Sequence, residues 1–300
     1  MYDRIVIPVD GSDDAMHAAS RGIEFARAFD ATVTVLYVVE QKAIALSRGH
    51  DEATRLRKQG EAVLNEVAER AAEFDCPVTT SLTDGKPAVR ISEYADEQGA
   101  DLLVLGRQGL TGLKRRLVGG VTEQVLHRSD VPVLVVPDGD EGSEHHTGYD
   151  HVLLPTDGSE NAHAATPHGV AIAQRFESTL HVLNVVDLQA AGGVFNAGGL
   201  EAEFVDRLEV RGQEAVDRAT DELRDVAPEV AVRSAVRRTT SFDGAGAGVR
   251  EYVDDAGIDL IVMGSHGRSN LGRQLLGSVA STVLRTVPVP VLVVARTPSA

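Results

Sequence analysis

The chain has 300 residues, 43% of them hydrophobic and 25% charged, and its formal net charge is −16. This composition excludes an intrinsically disordered chain, and no apolar run reaches the roughly 20 residues that a membrane-spanning helix needs. The acidic balance also argues against nucleic acid or an anionic membrane surface as a partner.

The choice of basic residues and the cysteine content predict the environment in which the protein works. Arginine supplies nearly all basic residues, since lysine occurs only at Lys42, Lys58, Lys86 and Lys114. We expect such an acidic, lysine-poor surface in a salt-adapted organism, with stability that falls at low salt. The single cysteine and the lack of a signal-peptide pattern in "MYDRIVIPVD" predict a cytoplasmic protein.

Short apolar runs alternate with amphipathic stretches along the first half of the chain. The predicted strands are Arg4–Val9, Thr32–Val39, Val78–Leu82, Leu102–Leu105 and Val131–Val136. The predicted helices span about Asp13–Phe29, Glu52–Phe74, Ala88–Gln98 and Gly120–Arg128. Strands such as "DLLVLG" are apolar on both faces, which is typical of a parallel sheet covered on both sides. The alternation therefore predicts a doubly wound α/β fold.

The second half of the chain repeats the pattern of the first. "RIVIPVDGSDDAMHAA" from Arg4 matches "HVLLPTDGSENAHAAT" from His151 at a spacing of 147, and "VPVLVVP" from Val131 matches "VPVLVVA" from Val289 at a spacing of 158. We predict two domains, 1–138 and 150–300, joined by a polar linker at 139–149, with 11 inserted residues in the second domain. The run "GAGAG" at 244–248 falls near the insertion and predicts a flexible loop.

Special residues follow particular strands of each half. Asp10 and Asp157 come just after the first strands, and Gly106 and Gly264 come at the ends of the fourth strands. Ligands of open parallel sheets bind at the carboxyl ends of the strands, where the winding reverses. One site can use both strand ends only if the first and fourth strands are neighbours. With right-handed crossovers this predicts the strand order 3-2-1-4-5.

Glycines and a serine between a strand and a helix indicate an anion site in the second half. Bare amides at Gly264 and Gly267 allow close approach of a phosphate, and Gly277 and Ser278 begin a helix whose N-terminus favours anions. The glycines could instead only make turns, and Ser278 could only cap the helix. Asp157 could likewise serve its own turn rather than a ligand.

Other polar residues near the loops are weaker candidates. We expect His266 to be solvated rather than catalytic. Five arginines could neutralise phosphates or be plain surface charge; they are Arg107, Arg115, Arg116, Arg268 and Arg273. No Walker motif is present, because Gly85-Lys86 is followed by proline.

Each half resembles the universal stress protein family over nearly its whole length. The nucleotide-binding pattern of that family, G-x2-G-x9-G-[ST], is complete in the second half at Gly264, Gly267, Gly277 and Ser278. The first half has Gly106, Gly109 and Gly119, with Gly120 where serine or threonine is expected. "PVDGS" from Pro8 and "PTDGS" from Pro155 resemble the first-strand signature of the family.

The resemblance implies an adenine nucleotide alpha hydrolase-like (Rossmann-like) fold in each half and a site for ATP, or ADP or AMP, with Mg²⁺ as a candidate companion. Asp10 and Asp157 would contact ribose or adenine, and Val38 and Val185 would line the adenine pocket. No residue is assigned a catalytic role. The implied binding residues also include Pro8, Val9, Pro155, Thr156, Met263 and Val279.

Gly120 marks a difference between the two predicted sites. A lost hydrogen bond to a charged group costs roughly 1.5–3 kcal/mol, which weakens binding about ten- to hundredfold. We therefore expect the second site to be the tighter one, unless Thr122 supplies the missing hydroxyl.

Three functions fit these patterns. The first is an adenine-nucleotide sensor or switch in stress signalling, and the second is a slow ATPase or phosphotransferase. The third is an interaction module without a ligand. The edge sequence "VPVLVV" occurs in both halves, so the resemblance also implies an intramolecular pseudo-dimer, with homodimerisation open.

Overall fold

The structure, a computed structural model, describes residues 1–40, 50–109, 118–138, 148–189, 202–267 and 276–295. The chain divides into two compact units, Met1–Thr147 and Gly148–Ala300. Most of the predicted linker 139–149 lies outside the described residues. Its last two residues belong to the second unit, because the Tyr149 side chain is buried and packs edge-on against Phe176. No helix among the described residues is long and apolar enough to cross a membrane.

The first unit contains a parallel five-stranded sheet in the order β3-β2-β1-β4-β5, with helices between successive strands. This confirms the predicted α/β class and the predicted strand order. The strands are β1 (Arg4–Val9), β2 (Thr32–Glu40), β3 (Val78–Gly85), β4 (Leu102–Gly106) and β5 (Val133–Val136). The described helices are α1 (Asp13–Phe29), α2 (His50–Glu73), α3 (Pro87–Gln98) and α4 (Gly120–Arg128).

The second unit repeats this sheet in the order β8-β7-β6-β9-β10. Its strands are β6 (His151–Pro155), β7 (Thr179–Asp187), β8 (Val232–Thr239), β9 (Leu260–Gly264) and β10 (Val291–Val294). Its described helices are α5 (Glu160–His163), α6 (Thr166–Phe176), α7 (Ala202–Val226), α8 (Gly244–Ala256) and α9 (Ser278–Thr286). The pseudo-dimer through β5 and β10 stays a prediction.

Local signals explain the first helix of each unit. Ser12 caps α1 by accepting a hydrogen bond from the Ala15 amide at 3.2 Å, and the helix ends where Asp30 takes a left-handed conformation, with φ of 58°. The second unit breaks the same helix into α5 and α6. Pro167 lies in the first turn of α6, where it lacks an amide hydrogen and its ring would clash with the preceding turn of a continuous helix.

An aspartate fixes the first and fourth strands of each unit together at their amino ends. Asp101 Oδ2 accepts from the amides of Asp3 and Arg4, both at 2.9 Å. Asp259 Oδ2 does the same for Asp150 and His151, at 2.8 and 2.9 Å. Because the first and fourth strands of each unit are held together at their amino ends, their carboxyl ends lie side by side at the opposite edge of the sheet.

The insertion in the second unit is divided between two places. The register pairs Val33 with Val78 in the first unit and Leu180 with Val232 in the second, so the spacing between the repeats rises from 147 to 154 before β8 and reaches 158 only after it. The prediction of a flexible loop at 244–248 is wrong, since these residues begin α8. A Cβ at Gly248 would lie 2.5 Å from a Val185 methyl group, so glycine lets α8 pack closely on β7.

Several predicted strands end too early. β2 continues to Glu40 and β3 to Gly85, paired in register as far as that residue. Polar residues at the end of β3 hid its length from the hydrophobic pattern. Val38 therefore lies within its strand rather than at its end, and so does Val185 in β7.

Candidate functional site

A cavity of about 300 Å³ lies at the carboxyl ends of β6, β7 and β9 in the second unit, beside the N-terminus of α9. The structure brings all ten predicted residues of this half to its walls: Pro155, Thr156, Asp157, Val185, Met263, Gly264, Gly267, Gly277, Ser278 and Val279. Seven further lining residues were not among the predicted binding residues: Ala162, Leu183, Asn184, Ala245, Val249, His266 and Ala280.

Asp157 makes its own turn and also lies at the cavity wall, while its contact with a ligand stays a prediction. Its Oδ1 accepts from the Ser159 amide at 3.0 Å, which makes the turn after β6. Its Oδ2 lies toward Gly267, where a Cβ would come within 2.8 Å of it. Glycine at 267 thus lets the carboxylate lie against the loop backbone at the cavity wall.

Close packing accounts for part of the glycine pattern. A Cβ at Gly264 would overlap the Asn161 carbonyl oxygen, so the end of β9 needs glycine to pack against α5. The Gly277 amide donates to the Ser265 carbonyl at 2.9 Å, which closes the loop and sets the start of α9 beside the end of β9. These contacts give the glycines a structural reason as well as a place at the cavity.

The N-terminus of α9 opens on the cavity without a side-chain cap. Gly277 is the N-cap residue and offers no side-chain hydrogen bond, while Ser278 is the first helical residue and is exposed. The alternative that Ser278 caps the helix is therefore wrong. By contrast, Ser159 caps α5 by accepting from the Ala162 amide at 3.2 Å. The first amides of α9 and the Ser278 hydroxyl are thus available to an anion.

The cavity also has a mostly apolar wall. Leu183 and Val185 come from β7, and Ala245 and Val249 come from α8. Asn184 is held in place because its Nδ2 donates to the Thr156 carbonyl at 2.7 Å. The α8 residues escaped sequence analysis because the glycine run predicted a loop. Their apolar character at a spacing of four was the available signal.

His266 is not the solvated residue that we expected. It is half-buried at the cavity wall, with Nδ1 2.9 Å from Ser265 Oγ. Its Nε2 is buried and has no hydrogen-bond partner among the residues that the structure describes. Arg107 is also no plain surface charge: it is 8% exposed and lies 3.4 Å from Asp138. The other four candidate arginines, at 115, 116, 268 and 273, lie outside the described residues.

The first unit repeats the loop geometry. Asp10 Oδ1 accepts from the Ser12 amide at 3.0 Å, and a Cβ at Gly109 would lie 2.5 Å from Asp10 Oδ2. The Gly119 amide donates to the Arg107 carbonyl at 2.7 Å, and Gly119 caps α4 without a side-chain bond. The remaining predicted residues take equivalent places: Pro8 and Val9 end β1, Val38 lies in β2, Gly106 ends β4 and Gly120 begins α4.

Side chains at the first loop differ from those at the second. Thr122 is buried and its Oγ1 donates to the Gly106 carbonyl at 2.8 Å, so the idea that it replaces the missing hydroxyl is wrong. Nothing lies within 4 Å of a Cβ placed on Gly120. Burial, and then the nearby Asp138 carboxyl, raise the pKa of Asp14. In the second unit an amide, Asn161, stands at the matching position.

The described residues contain no group of three or more histidine, cysteine, aspartate or glutamate side chains that could hold a metal ion. The idea of Mg²⁺ as a companion of the nucleotide therefore stays a prediction.

Comparison with known proteins identifies relatives of both units. The profile of the universal stress protein family matches residues 1–137 and 148–295. A universal stress protein of Mycolicibacterium smegmatis is 27% identical over 300 residues, covering 97% of this chain and 96% of that one. One from Methanocaldococcus jannaschii is 39% identical over 140 residues, which are 45% of this chain and 82% of the relative. A crystal structure of a universal stress protein from Archaeoglobus fulgidus shares the fold, with a TM-score of 0.70 at 22% identity over 98% of this chain and 96% of that one.

Proposed function

Because this chain belongs to the universal stress protein family and carries its domain twice, we propose that its second unit binds an adenine nucleotide and acts as a ligand-dependent sensor or switch. The observation that carries this proposal is the N-terminus of α9, which meets the cavity with no side-chain cap and with the Ser278 hydroxyl exposed. A helix N-terminus carries unpaired amides and a partial positive charge, both of which favour phosphate.

The remaining walls suit the rest of a nucleotide. The base lies at the apolar end formed by Leu183, Val185 and Val249, and the phosphates lie against the amides of Gly277 and Ser278. Asp157 lies at the cavity wall beside Gly267, where a ribose hydroxyl can donate to its carboxylate. A nucleotide is thus complementary to the cavity in both polarity and charge.

Calorimetric titration tests the proposal. We expect ATP, ADP and AMP to bind the full chain at high salt, with affinity falling as phosphates are removed because fewer charged oxygens meet the helix. High salt also screens the net charge of −16, which otherwise repels the anion. Folded protein that gives no heat with any of the three would contradict the proposal and favour the interaction module without a ligand.

One observation favours the second candidate, slow ATP hydrolysis. His266 Nε2 is a buried nitrogen without a described hydrogen-bond partner, in a residue of the cavity wall, where a general base would have to lie. Single-turnover measurement with labelled ATP separates the two functions. Turnover above background that disappears in His266→Gln, with binding retained, would establish hydrolysis. Binding without turnover supports the sensor.

A further inference from the structure

A second cavity, of about 250 Å³, lies in the same unit between the carboxyl end of β6, the middle of β7, the start of α5 and the helix α7. It shares Pro155, Thr156 and Ala162 with the cavity described above, but its other walls are different. Nothing in the nucleotide proposal uses it, so its role is a separate question.

Two glycines align the long helices of the two units. A Cβ at Gly60 of α2 would contact Tyr37, and a Cβ at Gly212 of α7 would contact Asn184. Tyr37 and Asn184 are repeat partners at the spacing of 147, so Gly60 and Gly212 are equivalent and the two helices align at a spacing of 152.

This alignment gives the first unit larger side chains at two positions of the cavity wall and a smaller one at a third, where Ala71 stands in place of Leu223. Val63 and Val67 of α2 stand where α7 has Ala215 and Ala219, and the buried Met16 stands where α5 has His163. Val63 packs against the turn after β1, since a Cβ at Gly11 would lie 2.9 Å from its methyl group. Protein interiors are close-packed, so a cavity bordered by two alanines where the other copy has valines is a candidate ligand site.

The walls of the second cavity define the chemistry of its occupant. Its floor is apolar, with Leu154, Val182 and Leu223 below the two alanines. Arg218 and Glu222 lie on its rim, one helical turn apart, and their charges face the same side of α7. Such a rim suits a molecule with neighbouring positive and negative groups on an aliphatic body.

The polar groups of the rim are held in position. Arg218 Nε donates to the Glu214 carbonyl at 3.1 Å, and within the described residues its terminal amino groups form no ion pair. Glu222 lies 3.0 Å from His163 Nε2, which anchors the carboxylate across the cavity mouth. We propose that this cavity binds an α-amino acid with an aliphatic side chain. Its carboxylate pairs with Arg218, its ammonium pairs with Glu222, and its side chain lies on the floor.

Three probes of the same shape test the proposal on the full chain. L-Leucine carries both charges, 4-methylpentanoate lacks the ammonium group and 3-methylbutylamine lacks the carboxylate. In NMR or calorimetric titrations up to about 10 mM we expect leucine to bind, and each single-charge analogue to bind at least about tenfold more weakly. No binding by leucine, or equal binding by either analogue, would overturn the proposal.

Two variants locate the site. Ala215→Val with Ala219→Val copies the first unit, fills the cavity and is expected to abolish leucine binding while nucleotide binding remains. Arg218→Gln changes an exposed side chain and should weaken leucine at least about tenfold. Its matched control is Arg224→Gln, on the same helix but outside the cavity walls. Leucine binding that survives both the filling and the Arg218 variants refutes the site. An unaltered chain that binds leucine but no nucleotide refutes only the nucleotide proposal.

Discussion

The described residues of the loops that follow β4 and β9 make the same backbone hydrogen bonds and differ in side chains. In both, an amide donates back to a carbonyl at the strand end, from Gly119 to Arg107 and from Gly277 to Ser265. In both, a carboxylate lies against a glycine. The first unit, however, has Gly120 where the second has Ser278, and it adds a buried arginine and a carboxyl pair. The two units have thus kept the same backbone hydrogen bonds, while the side chains that a ligand would contact have diverged.

The largest expected effect tests which loop binds the nucleotide. Gly277→Val places a branched side chain against the backbone of residues 265–267 and displaces the start of α9 from the end of β9, so we expect nucleotide affinity to fall by about a hundredfold or more. Gly119→Val makes the same change in the first unit and should leave the tight site unaffected. Calorimetric titration of both variants checks this. A larger loss in Gly119→Val would reverse the ranking of the two sites.

The next largest effect is a difference between the two units in how their stability depends on pH. Burial, followed by the charges of His151 and Arg233, lowers the pKa of His181 from 6.5 to about 4, and its Nδ1 lies 3.0 Å from the Tyr252 hydroxyl. The first unit has Thr34 at this position. Between pH 6.5 and 4 the unfolded chain binds a proton that the folded unit does not, so the second unit loses on the order of 3 kcal/mol of stability as pH falls.

Hydrogen exchange resolved to each unit measures this loss. His181→Thr should flatten the pH dependence of the second unit only in part, because burial also lowers the pKa of His168 to about 4. The slope of stability against pH is the informative quantity, since the substitution also removes the bond to Tyr252. An unchanged slope in the variant would show that His181 is not the group responsible.

The third comparison exchanges one side chain between the loops. Ser278→Gly should weaken nucleotide binding about ten- to hundredfold, and Gly120→Ser should strengthen the first site by a similar factor. The Gly120 exchange is sterically open, because nothing lies within 4 Å of the added Cβ. Site-resolved NMR titration reads both. If Gly120→Ser gains nothing, then the other differences of the first loop, such as Arg107 and Asp14, control its affinity.

Strong local signals made much of the fold predictable. Arg4–Val9, Asp13–Phe29 and Gly120–Arg128 have the boundaries that the sequence predicted, since apolar runs and caps coincide there. Repeat spacing and the placement of Asp157 and Gly264 led to the strand order and to residues that line one cavity. These features depend on local patterns of apolar and capping residues and on the internal sequence repeat, both of which can be read from a single sequence.

Tertiary packing decided the features that the sequence did not predict. The helix that begins at Gly244 packs closely on β7 because Gly248 leaves room for Val185, a contact that no local propensity encodes. The burial of His266 and Arg107 and the bond from Thr122 to Gly106 likewise depend on residues distant in the chain. The second cavity likewise depends on how α7 packs on β6 and β7, which no local pattern encodes.

The smallest expected effect concerns an ion pair whose members have changed places. In the first unit Arg57 of α2 pairs with Asp84 of β3, and at the matching positions Glu209 of α7 pairs with Arg238 of β8, with Nη2 2.6 Å from Oε2. Arg238 holds the pKa of Glu209 below its usual value. Exposed pairs contribute little because water and salt screen them, so Arg57→Glu with Asp84→Arg should shift the melting temperature by no more than about 2 °C.

A variant that reverses the charge of only one member of the pair is a more sensitive test of its contribution to stability. Arg57→Glu alone places two acidic groups together and should melt below the double variant, by a margin that shrinks as salt rises. Thermal unfolding at low and high salt measures both changes. Equal melting of the single and double variants would show that the pair contributes no coupling. The exchanged charges would then reflect only divergence of the two surfaces. Measurable coupling would mean that each unit kept the attraction between the two positions although both residues were replaced.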